Sequence, residues 1–205
     1  MKHRALQWGE VGLMWLNEVE KILAEVATAW SLEIGSQLSG GTEALVFEAR
    51  GSSGPSVLKL GIPNSMASET AVLRIADGSG YAKLLEFDSD HDAILIERLG
   101  AQLAQSQLTA DHQIEILCDT LKLGWRCIEA SNAFLTGAQK AQSQADYILT
   151  EWEAHGRPCA RQIIDQALAY TSERIAAHAT NPNYLVHGDA HIWNTLSAPD
   201  SLADS

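Results

Sequence analysis

Four residues near the C-terminal end of the chain have types and spacing suited to chemistry on a hydroxyl group. His187, Gly188 and Asp189 are consecutive, and Asn194 follows the aspartate by five positions. A carboxylate can orient a hydroxyl and take its proton, while a nearby amide oxygen can bind Mg²⁺. Short apolar runs lie before and after the motif. We therefore predict a tight loop between two short strands over residues 185–196.

The pattern H-x-D-x-x-x-x-N is the catalytic loop of protein kinases. With Gly188 in the second position, the segment resembles the aminoglycoside phosphotransferases and related small-molecule kinases. The residues also allow a different interpretation, in which Asp189 caps a surface turn after an edge strand and His187 lies in a core. Features earlier in the chain must decide between these interpretations.

Composition limits the classes of function. The 205 residues carry 14 Lys and Arg against 26 Asp and Glu, a net charge of −12. This balance argues against nucleic-acid and anionic-membrane partners, and it favours either simple solubility or a cationic small-molecule partner. No stretch approaches the roughly 20 apolar residues of a membrane span, and no secretory signal is present, so we predict a cytoplasmic protein. The three cysteines lack the spacing of a zinc site.

The first half of the chain has the pattern of a nucleotide-binding lobe. A helix within residues 1–31 is predicted to pack on a lobe of five short antiparallel strands and one helix at residues 32–99. Between the first two strands lies a glycine turn, in which the backbone at Gly40, Gly41 and Thr42 could approach a phosphate closely.

Two side chains of this lobe are candidates for nucleotide binding. Lys59 lies on the third strand, where kinases place the lysine that contacts phosphate. Glu69 belongs to a helix predicted at residues 65–76 and is placed to turn inward and pair with Lys59. Both residues also have an ordinary interpretation as solvated charges. Glu97 and Leu99 follow the fifth strand as a hinge would, and their backbone groups are predicted to meet the adenine edge.

Residues 100–205 are predicted to form a mostly helical second lobe that contains the loop and is incomplete. Helical periodicity runs from Asp111, the expected N-cap, to about residue 130, and again over residues 141–153 and 161–178.

The order of these features is that of a kinase fold. The resemblance to the aminoglycoside phosphotransferase family spans about Leu38 to Leu196, and it looks strongest toward the streptomycin 6-kinase and hydroxyurea-resistance branch. The resemblance implies an α+β, protein-kinase-like two-lobe fold with a small antiparallel-sheet N-lobe and a mostly helical C-lobe. It also implies ATP and Mg²⁺ as cofactors, and a small-molecule acceptor such as the cationic aminoglycoside streptomycin.

Carried over residue by residue, the resemblance makes Asp189 the catalytic base and Asn194 a Mg²⁺ ligand. Lys59 would contact the α- and β-phosphates and be held in place by Glu69.

One departure from the family pattern concerns the second metal-binding aspartate, which kinases carry about a dozen residues after the loop asparagine. Asp200 and Asp204 are the only candidates, and Pro199 disfavours a paired strand there. We therefore expect a truncated phosphotransferase with weak or absent activity. Two alternatives stay open: an inactive nucleotide-binding pseudokinase or fragment, and an acidic helical interaction protein whose H-G-D turn is incidental.

Overall fold

A computed structural model describes residues 9–38, 44–129, 133–178 and 180–198. The chain forms two compact units. The first contains the residues up to Gly124 and those from Val186 onward, and the second is Trp125–Leu185. The predicted domain boundaries after residues 31 and 99 stay predictions. Several predicted site residues lie outside the described residues, namely Gly40, Gly41, Thr42, Asp200 and Asp204.

The first unit is built on one antiparallel sheet of five strands with the order β1-β2-β3-β5-β4. Its elements are α1 (Gly9–Ala29), β1 (Glu33–Leu38), β2 (Ala44–Gly51), β3 (Gly54–Gly61), α2 (Ala67–Ala76), β4 (Leu84–Asp88), β5 (Ala93–Glu97), a 3-10 turn (Leu103–Gln105) and α3 (Ala110–Gly124). This arrangement confirms the predicted α+β class with a small antiparallel sheet.

Alternation along β3 decides which way its charged residue points. Leu58 and Leu60 are fully buried and pack in one cluster with residues of α1. Because successive side chains of a strand point to opposite faces, Lys59 lies on the other face. There it is paired in register with Ile94, which packs with Leu73 of α2. The pattern of the sequence therefore turns Lys59 toward α2.

The cluster between α1 and the sheet is the main apolar core of the first unit. Trp15 and Val26 of α1 pack with Leu45, Leu58 and Leu95 of the sheet. Burying a leucine side chain completely contributes about 2 kcal/mol, so this contact holds the helix on the sheet.

The largest departure from the predicted elements concerns α3. The periodicity predicted a helix from Asp111 to about residue 130, but the helix ends at Gly124. A side chain at position 124 would meet the ring of Tyr81, since an added Cβ would lie 2.8 Å from Tyr81 Cε2. The prediction of Asp111 as N-cap was also wrong, because Thr109 Oγ1 accepts the His112 N–H at 3.4 Å while Asp111 lies in the first turn.

Two strands are shorter than their sequence patterns predict. The β-prone runs cover residues 81–87 and 93–99, but β4 begins at Leu84 and β5 ends at Glu97. The strand predicted before the H-G-D loop has only two residues, and beyond the loop Leu196 makes an isolated bridge with Gln102.

The second unit is mainly helical. Its elements are β6 (Arg126–Cys127), α4 (Gly137–Ala154), α5 (Arg161–His178) and β7 (Tyr184–Leu185). The short strands β6 and β7 pair with each other, and α4 packs against α5. Helix α4 begins earlier than predicted because Thr136 caps it, accepting the Gln139 N–H at 3.1 Å. No described helix combines the length and apolar character that crossing a lipid bilayer requires.

A histidine in the β4–β5 turn ties α1 to the sheet. His91 Nδ1 lies 2.7 Å from Asp88 Oδ2, and His91 Nε2 lies 3.3 Å from Glu25 Oε2 of α1. The hydrogen bond to Asp88, helped by the charges of Asp88 and Glu25, raises the pKa of His91 although burial opposes it. Burial alone would raise the pKa of Asp88, but hydrogen bonds from His91 and the turn amides lower it.

We expect the contribution of His91 to stability to depend on pH. A histidine whose pKa is raised on folding stabilises the fold below its unfolded value of about 6.5, and this contribution is lost as the pH rises through the folded value. His91→Asn should therefore cost up to about 1 kcal/mol at about pH 6, and much less at about pH 9. The measurement is the free energy of unfolding against pH, with His112→Asn on exposed α3 as the control. An equal loss of unfolding free energy at both pH values would contradict a pH-dependent contribution of His91.

Candidate functional site

Lys59 and Glu69 form an ion pair between β3 and α2. Lys59 Nζ lies 2.5 Å from Glu69 Oε1, and the side chains are 22% and 35% exposed. Both charges are thus partly shielded from water. Because the effective dielectric constant is lower there than at an open surface, the two charges attract each other more strongly. A lysine ammonium has three donors, and this contact uses one of them. The pair therefore holds a cation in place with donors left for an anion.

The position of Glu69 is set by the turn before β5. Asp92 accepts two backbone N–H groups at the start of α2, from Asn64 at 2.7 Å and from Met66 at 3.1 Å. A carboxylate in this position satisfies amides that have no partner inside the helix. Glu69 lies three residues beyond Met66, so these hydrogen bonds fix the turn that carries it. Sequence reasoning missed Asp92, whose partners are 26 and 28 residues away.

Glu97, the first residue of the predicted hinge, forms two hydrogen bonds with the backbone of Lys83. Glu97 Oε1 accepts the Lys83 N–H at 2.7 Å, and the Glu97 N–H donates to the Lys83 carbonyl at 3.0 Å. Arg98 Nη2 donates to Glu48 Oε1 on β2 at 3.0 Å. Leu99 follows, half-buried and outside the strand. A role of Glu97 and Leu99 at adenine stays a prediction.

The H-G-D loop is attached to the residues that follow this segment. Gln102 Nε2 donates to the Trp193 carbonyl at 3.0 Å, and the Leu103 N–H donates to the Thr195 carbonyl at 2.7 Å. The Ala104 N–H donates to the Ile192 carbonyl at 3.0 Å. These bonds fix the second half of the loop against the 3-10 turn within the first unit.

Within the loop, the structure brings together Asp189, predicted as the catalytic base, and Asn194, predicted as a metal ligand. Asn194 Nδ2 donates to the Asp189 carbonyl at 3.1 Å and to Asp189 Oδ2 at 3.2 Å. The Asp189 N–H donates to His187 Nδ1 at 3.3 Å. Gly188 has φ +80, a conformation that a residue with a side chain seldom adopts. The side chain of Asp189 is 81% exposed, so its carboxylate is oriented by neighbours and open to solvent.

His191 is a residue of the site that sequence reasoning missed. Its Nε2 lies 3.7 Å from Asp189 Oδ2, and its Nδ1 accepts the Trp193 N–H at 3.2 Å. The available signal was an imidazole two positions beyond a candidate catalytic aspartate.

Tyr81 is a second missed residue, and it connects the segment after α2 to the loop. Its ring stacks on that of His187, with centroids 5.5 Å apart and planes inclined by 16°. The preceding residue, Gly80, lies against α3, because a Cβ added there would be 2.6 Å from the Gly124 nitrogen and 2.8 Å from the Thr120 carbonyl oxygen. The ring therefore reaches the loop because Gly80 permits a close backbone approach.

The predicted site residues thus form two hydrogen-bonded groups in the first unit. One joins Lys59 to Glu69, and the other joins Asp189 to Asn194. The kinase-like fold that the resemblance implies would place Lys59 and Asp189 on opposite sides of a cleft between two lobes, and this placement stays a prediction. Among the described residues, no group of three or more histidine, cysteine or acidic side chains is arranged to hold a metal ion.

Comparison with known proteins gives three findings. Residues 34–203 match the sequence model of the phosphotransferase enzyme family. A streptomycin 6-kinase of Streptomyces glaucescens is 22% identical over 196 residues, which are 95% of this chain and 63% of that protein. A hydroxyurea phosphotransferase of Kitasatospora aureofaciens is 33% identical over 95 residues, which are 45% of this chain and 28% of that protein. The chain therefore spans less than two thirds of the length of either relative.

The close approach of Gly80 to α3 predicts the effect of adding a methyl group. Gly80 and Gly78 have similar φ values, +72 and +79, but a Cβ at Gly78 would meet only Lys83 atoms at 3.6 Å and beyond. We expect Gly78→Ala to cost about 1 to 2 kcal/mol from backbone strain alone. Gly80→Ala should cost about 1 to 3 kcal/mol more, because its Cβ would overlap backbone that cannot move aside.

The measurement is the free energy of unfolding of each variant in urea. Equal losses for the two variants would mean that the contact between Gly80 and α3 does not hold this segment in solution.

Proposed function

The chain belongs to the phosphotransferase enzyme family, and on that basis we propose that it transfers the γ-phosphoryl group of ATP to a hydroxyl group of a small molecule. The observation that carries the proposal is the ion pair between Lys59 and Glu69, on two elements of the same compact unit as the Asp189 loop. In kinases a strand lysine paired with a helix glutamate binds nucleotide phosphates.

In this proposal the nucleotide is bound by the first half of the chain. The Lys59 ammonium contacts the α- and β-phosphates, and Glu69 keeps it in position. The remaining contacts are backbone groups, at Gly40, Gly41 and Thr42 for the phosphates and at Glu97 and Leu99 for adenine. Since the phosphoryl group needs little covalent help, these residues act by positioning and by neutralising charge.

Asp189 acts on the acceptor. The acceptor oxygen forms a bond to the γ-phosphorus while the bond from that phosphorus to the β–γ bridging oxygen breaks, and ADP leaves. The proton of the hydroxyl passes to the Asp189 carboxylate, which Asn194 orients. The 81% exposure of the Asp189 side chain suits a group that must reach a hydroxyl on a separate molecule.

Asn194 is suited to Mg²⁺ as well. Its Nδ2 donates to Asp189, so its Oδ1 is the atom directed to a cation. Mg²⁺ is commonly bound by one or two carboxylates together with water and substrate phosphates, and the Asn194 amide oxygen would add one protein ligand to such a set. When bound, the ion supplies neutralisation of the phosphate charge.

For the acceptor we propose a cationic aminoglycoside such as streptomycin, phosphorylated in the cytoplasm. The net charge of −12 supports this choice, because a negative field attracts polycations. The similarity to a streptomycin 6-kinase supports it too.

The test is turnover by the full chain with Mg²⁺ and ATP labelled on the γ-phosphate, with streptomycin, hydroxyurea or no acceptor. The proposal predicts ADP release and labelled product that depend on streptomycin. Nucleotide binding without acceptor-dependent release would show the inactive nucleotide-binding alternative instead. A melting temperature that Mg²⁺-ATP does not raise would contradict any nucleotide function.

Lys59 provides the sharpest test of nucleotide binding. We expect Lys59→Met to weaken Mg²⁺-ATP binding about tenfold or more, because it removes the charge nearest the phosphates and leaves Glu69 unpaired. The measurement is the rise of the melting temperature with ATP concentration. Lys140→Met, on the exposed surface of α4, is the matched control. Equal ATP responses in the two variants would refute the assignment of Lys59.

A further inference from the structure

We propose that His191 is a positioning residue that, with Asn194, holds oxygen Oδ2 of Asp189 and leaves oxygen Oδ1 for the acceptor hydroxyl. This inference rests on the proposed function and deepens it, because it states which carboxylate oxygen meets the substrate. It depends on the contacts that surround Asp189.

The hydrogen bonds of His191 determine which ring nitrogen carries the proton. Its Nδ1 accepts the backbone N–H of Trp193 at 3.2 Å. A nitrogen that accepts an N–H cannot carry a proton, so the neutral ring must be protonated at Nε2. That nitrogen lies 3.7 Å from Asp189 Oδ2, so an N–H group faces the carboxylate. The neighbouring His187 follows the same rule, since its Nδ1 accepts the Asp189 N–H.

The two neighbours of the carboxylate act on the same oxygen. Asn194 Nδ2 lies 3.2 Å from Asp189 Oδ2, within hydrogen-bond distance. The His191 contact to Oδ2, at 3.7 Å, is longer than a hydrogen bond, so it acts through the dipole of the Nε2–H group that faces this oxygen. Because both contacts formed by these residues reach Oδ2, Oδ1 is the oxygen presented to an incoming hydroxyl.

The backbone of His191 is itself held in place. Its carbonyl accepts the Asn194 N–H at 2.9 Å and the Thr195 hydroxyl at 3.2 Å. Thr195 is only 8% exposed, so it ties this carbonyl to the interior of the unit. The ring direction is then set by the bond from Trp193. A ring fixed at both its backbone and its Nδ1 has little freedom to turn its Nε2 away from Asp189.

A purely structural role is the competing explanation, in which His191 serves only to accept the Trp193 N–H. Two substitutions separate these roles. In His191→Asn, the amide oxygen can replace Nδ1 as the acceptor, but nothing replaces the Nε2–H. In His191→Gln, the longer side chain can place an N–H close to the position of Nε2. A structural role predicts that asparagine preserves function best, and the positioning role predicts that glutamine does.

The kinetic test uses the full chain with Mg²⁺, ATP and the acceptor that it phosphorylates. We expect His191→Asn to lower kcat about tenfold to a hundredfold, the same range as for the loss of a residue that orients a metal ligand. The KM for ATP should stay within about twofold, and His191→Gln should recover most of kcat. His112→Gln, on the exposed surface of α3, is the control. Equal kcat values for the wild type and His191→Asn would overturn the inference.

A second measurement does not need turnover. In the full chain with ¹⁵N-labelled histidine, neutral His191 should show the Nε2–H tautomer, and its Nε2 resonance should move when Asp189 is replaced by alanine. Asp165→Ala, on exposed α5, should leave it unchanged. The inference would be overturned by an Nδ1–H tautomer, or by an Nε2 resonance whose chemical shift is the same in the wild type and in Asp189→Ala. A wild-type chain without turnover would count against the proposed function alone, because the ring measurement decides the role of His191 by itself.

Discussion

The ion pair between Lys59 and Glu69 is the contact on which the arrangement of the first unit depends. Lys59 lies on the sheet face opposite Leu58 and Leu60, so its charge would meet the apolar side of α2 if Glu69 were absent. Removing one member of a partly buried pair leaves the other charge without compensation, which costs more than the pair itself contributes. The pair therefore fixes where α2 lies on the sheet.

The position of α2 has consequences for the loop. The residues that follow α2 bring Gly80 against α3, and the next residue, Tyr81, stacks on His187. His187 in turn accepts the N–H of Asp189. The lysine on β3 and the candidate catalytic carboxylate are thus connected through the ion pair, the chain from α2 to Gly80, and the contacts of Tyr81 and His187. Both groups of site residues belong to the first unit.

The sequence predicted the parts of this support that depend on local periodicity. The residue pattern on β3 and α2, together with the order of elements in kinases, predicted that Lys59 and Glu69 pair, and the ion pair between them is present. The end of α3 was mispredicted, because apolar spacing continues past Gly124 to Trp125 and Ile128. The contact that requires a glycine at position 124 is with Tyr81, 43 positions earlier in the chain. Hydrogen bonds between residues that are far apart in the sequence, such as those that Asp92 accepts, produce no periodic pattern in the sequence. The ring contacts of His191 depend on how the loop closes, and residue spacing alone does not specify that.

The exposure of Asp189 bears on what an acceptor must contribute. A carboxylate that is 81% exposed is surrounded by water, in which the fields of His191 and Asn194 are strongly screened. If an acceptor covers the loop when it binds, it displaces that water, and the same contacts then act in a medium of lower dielectric constant. The body of the acceptor would then strengthen the orientation of the carboxylate that acts on its hydroxyl. A large polyhydroxylated cation can cover the loop in this way, whereas a molecule as small as hydroxyurea covers little of it. Under the proposed function, the exposure of the carboxylate is thus a reason for proposing a larger acceptor that does not depend on the net charge of the chain.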